Sequence, residues 1–143
     1  MQKRLNQSLK IYTDGASRGN PGPASIAFVI VKEDEVIHQK SEFIGKATNN
    51  QAEYQAIIKA LSEAVKIIKN GNIELFSDSE LVIKQLNGEY RVRKPHLLDL
   101  FNEIRELIKK FQSIAFIHVE RTNEWIKIVD KLCNTTLNKK TGL

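Results

Sequence analysis

Two segments of the chain repeat one design, Ile11-Tyr12-Thr13-Asp14 and Leu75-Phe76-Ser77-Asp78. Each is an apolar run of β-branched, leucine or aromatic residues that stops on a hydroxyl side chain and an aspartate. Each therefore reads as a buried strand terminated by a carboxylate. In open α/β sheets, ligands sit in the crevice beyond the carboxyl ends of the strands. If these strands are parallel neighbours, Asp14 and Asp78 lie side by side in that crevice. Two carboxylates held together repel each other, and a bound divalent cation is the usual remedy. The repeated design thus constrains topology and chemistry at once.

The remaining segments supply the layers such a sheet needs. A strand over about residues 9–14 is followed by loop signals at Asp14-Gly15 and Asn20-Pro21-Gly22-Pro23. Residues 25–31 and 36–44 are β-rich runs separated by Glu33-Asp34-Glu35, which predicts an antiparallel hairpin. The period then changes: Ala52, Ala56, Ile57, Ala60, Leu61 and Ala64 recur at helical spacing, and that helix ends near Asn70-Gly71. A strand over 73–78 and a short helix through Leu81 and Leu86 come next. A longer helix after Lys94-Pro95 carries a stripe from Leu97 to Phe111. Residues 113–119 are apolar on both faces, as a central strand covered on both sides would be. A last helix spans about residues 124–139. The order β, β, β, α, β, α, α, β, α predicts an α/β chain with a mixed sheet flanked by helices.

At 143 residues and 41% hydrophobic content the chain reads as a single domain over 1–143, with residues 1–8 a flexible N-terminal extension. The only cysteine, Cys133, excludes an internal disulfide and fits a reducing compartment. The N-terminus lacks the apolar region of a signal peptide, and no run approaches transmembrane length. The expectation is a cytoplasmic protein without membrane association. A formal net charge of +5, from 22 Lys and Arg against 17 Asp and Glu, leans towards a polyanionic partner.

Two further acids sit where the apolar pattern does not call for them. Glu53 continues the stripe of the first long helix one turn before Ile57. Asp130 lies between Ile126 and Cys133 on the last helix, in or beside its buried face. Each acid also has an ordinary structural reading. Asn50 could cap its helix with Glu53 as the third residue of a capping box, or Thr48 and Gln51 could do so two positions earlier. Asp78-Ser79 could cap the short helix, Asp14-Gly15 could be a turn, and Asp130 could pair with Lys127 or Lys131. Taken together, two acids on strand ends and two on helix faces could share one or two metal ions.

The residues at this point resemble a known family. Tyr12-Thr13-Asp14-Gly15-Ala16-Ser17-Arg18-Gly19-Asn20-Pro21-Gly22, then Thr48-Asn49-Asn50-Gln51-Ala52-Glu53-Tyr54, then Ser77-Asp78-Ser79 with Leu86-Asn87-Gly88, are similar to ribonuclease H of type 1. Asp130-Lys131-Leu132-Cys133-Asn134 resembles that family's last motif, and the resemblance runs over about residues 9–138. It implies a single-domain ribonuclease H-like fold with a five-stranded mixed sheet. It also implies hydrolysis of the RNA strand of RNA–DNA hybrids, leaving 3′-hydroxyl and 5′-phosphate ends, with two Mg²⁺ ions per site and Mn²⁺ as a substitute. By the same resemblance Asp14 bridges both ions, Asp130 holds the ion that activates water, and Glu53 with Asp78 holds the ion at the leaving oxygen. No obligate protein partner is implied.

Substrate contacts are expected nearby. The resemblance assigns the chain after the first acid, Gly15, Ala16, Ser17 and Asn20, to RNA. Asn49, Asn50 and Gln51 stand at a helix start, where amides can meet 2′-hydroxyls or phosphates, or simply cap the helix. Arg91, Arg93 and Lys94 form the densest cationic stretch, suited to phosphate contact, with a solvated loop as the ordinary alternative. Many bacterial members insert a basic protrusion here. Only residues 89–96 bridge the gap in this chain, which marks the compact, archaeal-like form and raises cleavage of double-stranded RNA as a further expectation. In place of the mobile histidine of bacterial members, Arg121 and Asn123 match the compact form. The apolar segment with Trp125, Ile126 and Ile128 implies a helix that starts early or a loop that covers something. A 3′–5′ exonuclease of the four-acid type would open with Asp-x-Glu, whereas Asp14 is followed by Gly15 and Ala16. An inactive nucleic-acid-binding module of the same fold is the other alternative.

Overall fold

The computed structural model describes residues 7–142. Within them the elements follow the expected order: β1 (Ser8–Ser17), β2 (Gly22–Lys32), β3 (Glu35–Ala47), α1 (Asn49–Ile67), β4 (Asn72–Ser77), α2 (Glu80–Leu86), α3 (Pro95–Ile108), β5 (Ser113–His118) and α4 (Glu124–Thr141). The strands form one five-stranded sheet in the order β3-β2-β1-β4-β5. β1, β2 and β3 are antiparallel, and β1, β4 and β5 are parallel, so the sheet is mixed.

The two-period pattern of β1 decides what covers each face. Leu9 and Ile11 point to one side, where Phe28, Ile30, Ile73 and Leu75 of the neighbouring strands meet Tyr54, Ile57 and Leu61 of α1 and Leu97 and Ile104 of α3. Tyr12 points to the other side, where Val29 and Val31 meet Ile126, Val129 and Cys133 of α4. Each fully buried Ile, Leu or Phe of this kind contributes about 1.5–3 kcal/mol. No helix among the described residues is long and apolar enough to cross a membrane.

Glu33 and Asp34 alone form the β2–β3 turn, both with positive φ (50° and 67°). That geometry matches the twist of paired strands, and it places Glu35 in β3 and not in the turn. Three sequence expectations are corrected. β1 does not stop at Asp14 but runs on to Ser17, because β2 pairs with it as far as Ser17 opposite Ala24. β5 is an edge strand, not a central one, and of its residues only Phe116 is buried. At the N-terminus β1 starts at Ser8, and the Gln7 carbonyl accepts a hydrogen bond from the Asn72 N–H. The rest of the expected extension lies outside the described residues.

Candidate active site

Asp14 owes its position to a mismatch between the two partners of β1. The parallel ladder with β4 ends at Tyr12 opposite Phe76, whereas the antiparallel ladder with β2 continues through Asp14 opposite Ala27. Just beyond Tyr12 the sheet opens on one side only. Asp78, the first residue past β4, stands at that opening. Asp78 is not used as a helix cap, because Ser79 caps α2 by accepting from the Val82 N–H (3.4 Å).

Glu53 arrives from α1. Thr48 and Gln51 form the capping box, with the Gln51 N–H donating to Thr48 Oγ1 (3.1 Å) and the Thr48 N–H to Gln51 Oε1 (2.8 Å). The alternative box with Asn50 is not formed, which leaves the Glu53 carboxylate free. Gly15 allows the close approach. A Cβ there would fall 2.3 Å from the Ala52 carbonyl carbon and 2.5 Å from the Glu53 nitrogen. The glycine therefore serves helix packing, a role its sequence context did not suggest. With α1 seated, Glu53 Oε1 accepts from the Gly15 N–H at 3.1 Å. One residue on, buried Tyr54 donates to Gln85 Oε1 (2.5 Å) and ties α1 to α2.

The result is a compact group of acids. One carboxylate oxygen each of Asp14, Glu53 and Asp78 lie within 4.8 Å of one another. Asp14 and Glu53 are each only 6% exposed. Burial, then repulsion from Asp78 and Asp130, pushes the Asp14 carboxyl up to about 8, against a small lowering by the Gly15 amide. Burial, then repulsion from Asp14 and Asp78, raises Glu53 as well. Among the described residues the side-chain cation paired with the group is Arg121, whose Nε stands 3.5 Å from Asp78 Oδ2, and the Arg121 side chain is 89% exposed. Such a pair is screened by water and neutralises little. Buried carboxylates that cannot all ionise, with oxygen as the only donor type, fit a hard divalent cation. Cys133 is nearby, but burial lifts its thiol to about 12, so it offers no thiolate.

Asp130 is the outlier. It projects from α4, is solvent-exposed, and does not join the other three within 4.8 Å, although its carboxylate lies against that of Asp14. Asn134, one turn on, donates to Asp130 Oδ1 (3.2 Å) and to its carbonyl (3.0 Å). Asn134 in turn accepts from Arg18, a contact between residues 116 apart that no local pattern could reveal.

The structure brings some of the expected substrate residues together and scatters the rest. Ser17, Asn20 and Asn49 are brought together: the Ser17 N–H donates to Asn49 Oδ1 (3.2 Å) and the Asn49 N–H to Asn20 Oδ1 (3.0 Å). Half-buried Ala16 and Asn50 flank this network, and Gln51 is committed to the cap. Arg91, Arg93 and Lys94 lie exposed on the bridge between α2 and α3, which runs over residues 87–94. The Asn123 side chain is occupied as the α4 cap, accepting from the N–H groups of Trp125 (2.9 Å) and Ile126 (3.1 Å). That cap explains the apolar segment after it: α4 starts at Glu124, Ile126 is buried, and Trp125 stacks on Tyr12 at 5.8 Å.

An open α/β sheet with clustered acids at the end of its two central parallel strands defines a metal-dependent class of fold and site. A sequence model described as Reverse transcriptase-like matches residues 12–136. The chain is 45% identical over 129 residues to ribonuclease HI of Halobacterium salinarum, covering 89% of this chain and 63% of that protein. It is 37% identical over 132 residues to a bifunctional protein of Mycobacterium tuberculosis, covering 90% of this chain and 35% of that protein. The solved structure of LC11-RNase H1 in complex with an RNA/DNA hybrid superposes with a TM-score of 0.87 at 36% identity, covering 93% of this chain and 99% of that one. The chain belongs to the type 1 ribonuclease H family. It spans less than two thirds of the halobacterial protein and about a third of the mycobacterial one.

Proposed function

We propose that this domain is an endonuclease that hydrolyses the RNA strand of RNA–DNA hybrids and leaves 3′-hydroxyl and 5′-phosphate ends. The observation that carries this reading is the convergence of Asp14, Glu53 and Asp78 oxygens within 4.8 Å, with Asp130 alongside. The name of the halobacterial relative and the hybrid held by LC11-RNase H1 support it. Mg²⁺ is the proposed cofactor, two ions per site, with Mn²⁺ as a substitute. When bound, the ions supply charge neutralisation at the attacking and departing oxygens and a lowered water pKa. Asp14, Glu53 and Asp78 would hold them, with Asp130 completing the set on the attacking side.

The remaining residues bind and orient. The Ser17–Asn49–Asn20 network fixes a rim beside Asp14 whose amide and hydroxyl groups suit a ribose 2′-hydroxyl, the group DNA lacks. Arg91, Arg93 and Lys94 would meet backbone phosphates, and Arg121, so close to Asp78, the strand at the reacting centre. With only a short bridge between α2 and α3, double-stranded RNA is a second candidate substrate. A cytoplasmic location and action without an obligate protein partner complete the reading.

The test is cleavage of an end-labelled RNA–DNA hybrid beside matched double-stranded and single-stranded RNA, in Mg²⁺, Mn²⁺ or EDTA. Internal cuts in the hybrid that need metal and vanish in Asp130→Asn are the expected result. An uncut hybrid with folded wild type in both metals would leave only the binding module.

A further inference from the structure

Asp14 and Glu53 are buried against the Gly15 N–H, but Asp130 is not. It stands exposed on α4, and among the described residues the side chain that donates to it is the Asn134 amide at 3.2 Å. An asparagine amide can point either way, and its carbonyl end would repel a carboxylate. Arg18 removes that choice. Its Nη2 donates to Asn134 Oδ1 (3.3 Å) and to Asn138 Oδ1 (2.7 Å). A guanidinium has no acceptor, so Asn134 must present oxygen to Arg18 and its NH₂ to Asp130. Arg18 itself sits in the loop after β1, directly after Ser17, which bonds Asn49. The Arg18 N–H donates to the Pro23 carbonyl at 2.7 Å and holds the loop closed.

We propose that Arg18 and Asn134 are positioning residues that orient the Asp130 carboxylate towards Asp14, and so tie the fourth acid to the rim that receives the RNA strand. The inference rests on the reading of Asp130 as the fourth metal ligand. The relay has an energetic logic: a free carboxylate on a helix surface samples several rotamers, and locking one removes an entropy loss from metal capture. A tie that merely fastened the loop to α4 would change the melting temperature and nothing else.

The experiment compares wild type, Arg18→Ala, Asn134→Leu, Asp130→Asn and the double variant Arg18→Ala/Asp130→Asn. Steady-state cleavage of the hybrid gives kcat and KM. Mn²⁺ binding to the substrate-free protein is followed by electron paramagnetic resonance of the free ion. Arg18→Ala and Asn134→Leu are expected to lower kcat about tenfold with KM within about twofold, and to weaken Mn²⁺ binding at least about threefold. In the Asp130→Asn background, Arg18→Ala is expected to change Mn²⁺ binding no further, because a residue acting through another adds nothing once that other is gone. A rise in KM with kcat preserved would overturn the proposal and make Arg18 a substrate contact. Equal weakening of Mn²⁺ binding with and without Asp130, or no effect of either single variant, would overturn it too. Both single variants are near the surface, and circular dichroism melting checks each; should one misfold, the other decides. Absence of cleavage by wild type would defeat the proposed function while leaving the Mn²⁺ comparison to judge the relay.

Discussion

Asp14, Glu53 and Asp78 are carried by backbone that is constrained from several directions, by two ladders on β1, by α1 packed onto Gly15, and by the Tyr54–Gln85 bond between α1 and α2. Asp130 stands on the far layer, exposed, and is aimed by a chain of side chains from Arg18 through Asn134. The difference separates two tasks. The first three form a site whose geometry exists before anything binds, at the expense of crowding charge in a dry place. The fourth depends on side-chain contacts alone, so its aim is lost when a single surface substitution removes one of them.

The sharpest way to break this contrast is to change carboxylate reach. Asp14→Asn is expected to lower hybrid cleavage by more than about 10³-fold, roughly 4 kcal/mol of transition-state stabilisation. Glu53→Asp withdraws its oxygen from the Gly15 amide in a site that cannot follow, and is expected to lose about 10²-fold or more. Asp130→Glu, on an exposed helix face with room for one more methylene, should stay within about tenfold of wild type. Equal losses in Glu53→Asp and Asp130→Glu would erase the distinction.

Next in size is Gly15→Ala, whose new methyl would meet the α1 backbone. A loss of about 3 kcal/mol in urea unfolding is expected, with cleavage falling further because Glu53 is pushed off its amide.

The charge crowding itself has a pH signature. The Asp14 carboxyl is raised from 3.8 in the ordinary state to about 8 in the fold, so the folded form holds its proton more tightly than the unfolded chain. Its contribution to stability is therefore fully present below about pH 4 and is lost as pH climbs towards 8. Metal-free protein should lose stability over that window. Asp14→Asn should flatten the profile and exceed wild type at pH 8 by about 1–3 kcal/mol, whereas Asp130→Asn should change it far less. Mg²⁺ at a hundred times its dissociation constant should restore about 2.7 kcal/mol to wild type. Thermal melts across pH, with and without Mg²⁺, read all of these.

The smallest effect expected is Thr48→Ala, which removes the N-cap of α1 and should cost about 1 kcal/mol with little change in metal binding. A larger loss of metal affinity would mean that the cap steers Glu53 directly.

Much of this architecture was legible from residue patterns. Element order followed from the switch between two-residue and 3.6-residue periods, and Asp14, Glu53 and Asp78 stood out because their carboxylates end apolar runs or interrupt an apolar stripe. What failed was what depends on neighbours. Asp14-Gly15 looks like a strand end locally, yet eleven residues of β2 (Gly22–Lys32) offer it a partner and the strand continues. Residues 113–118 look central because Ile114, Phe116 and Ile117 are apolar, but sheet order, which no single strand encodes, puts them at the edge. Asn123 reads as a loop residue facing substrate, and its role as a cap emerges only once α4 is seen to begin beside it. The Arg18–Asn134 contact joins the two ends of the chain and has no local trace.

Trp125 is the chain's only tryptophan. Its ring lies over Tyr12, which itself stacks on Phe76 at 4.6 Å. The stack spans both central strands just below the acids, and Trp125 belongs to the first turn of the helix that carries Asp130. The molecule therefore contains its own optical gauge: intrinsic fluorescence, with no label attached, reports whether the head of that helix is seated on the sheet.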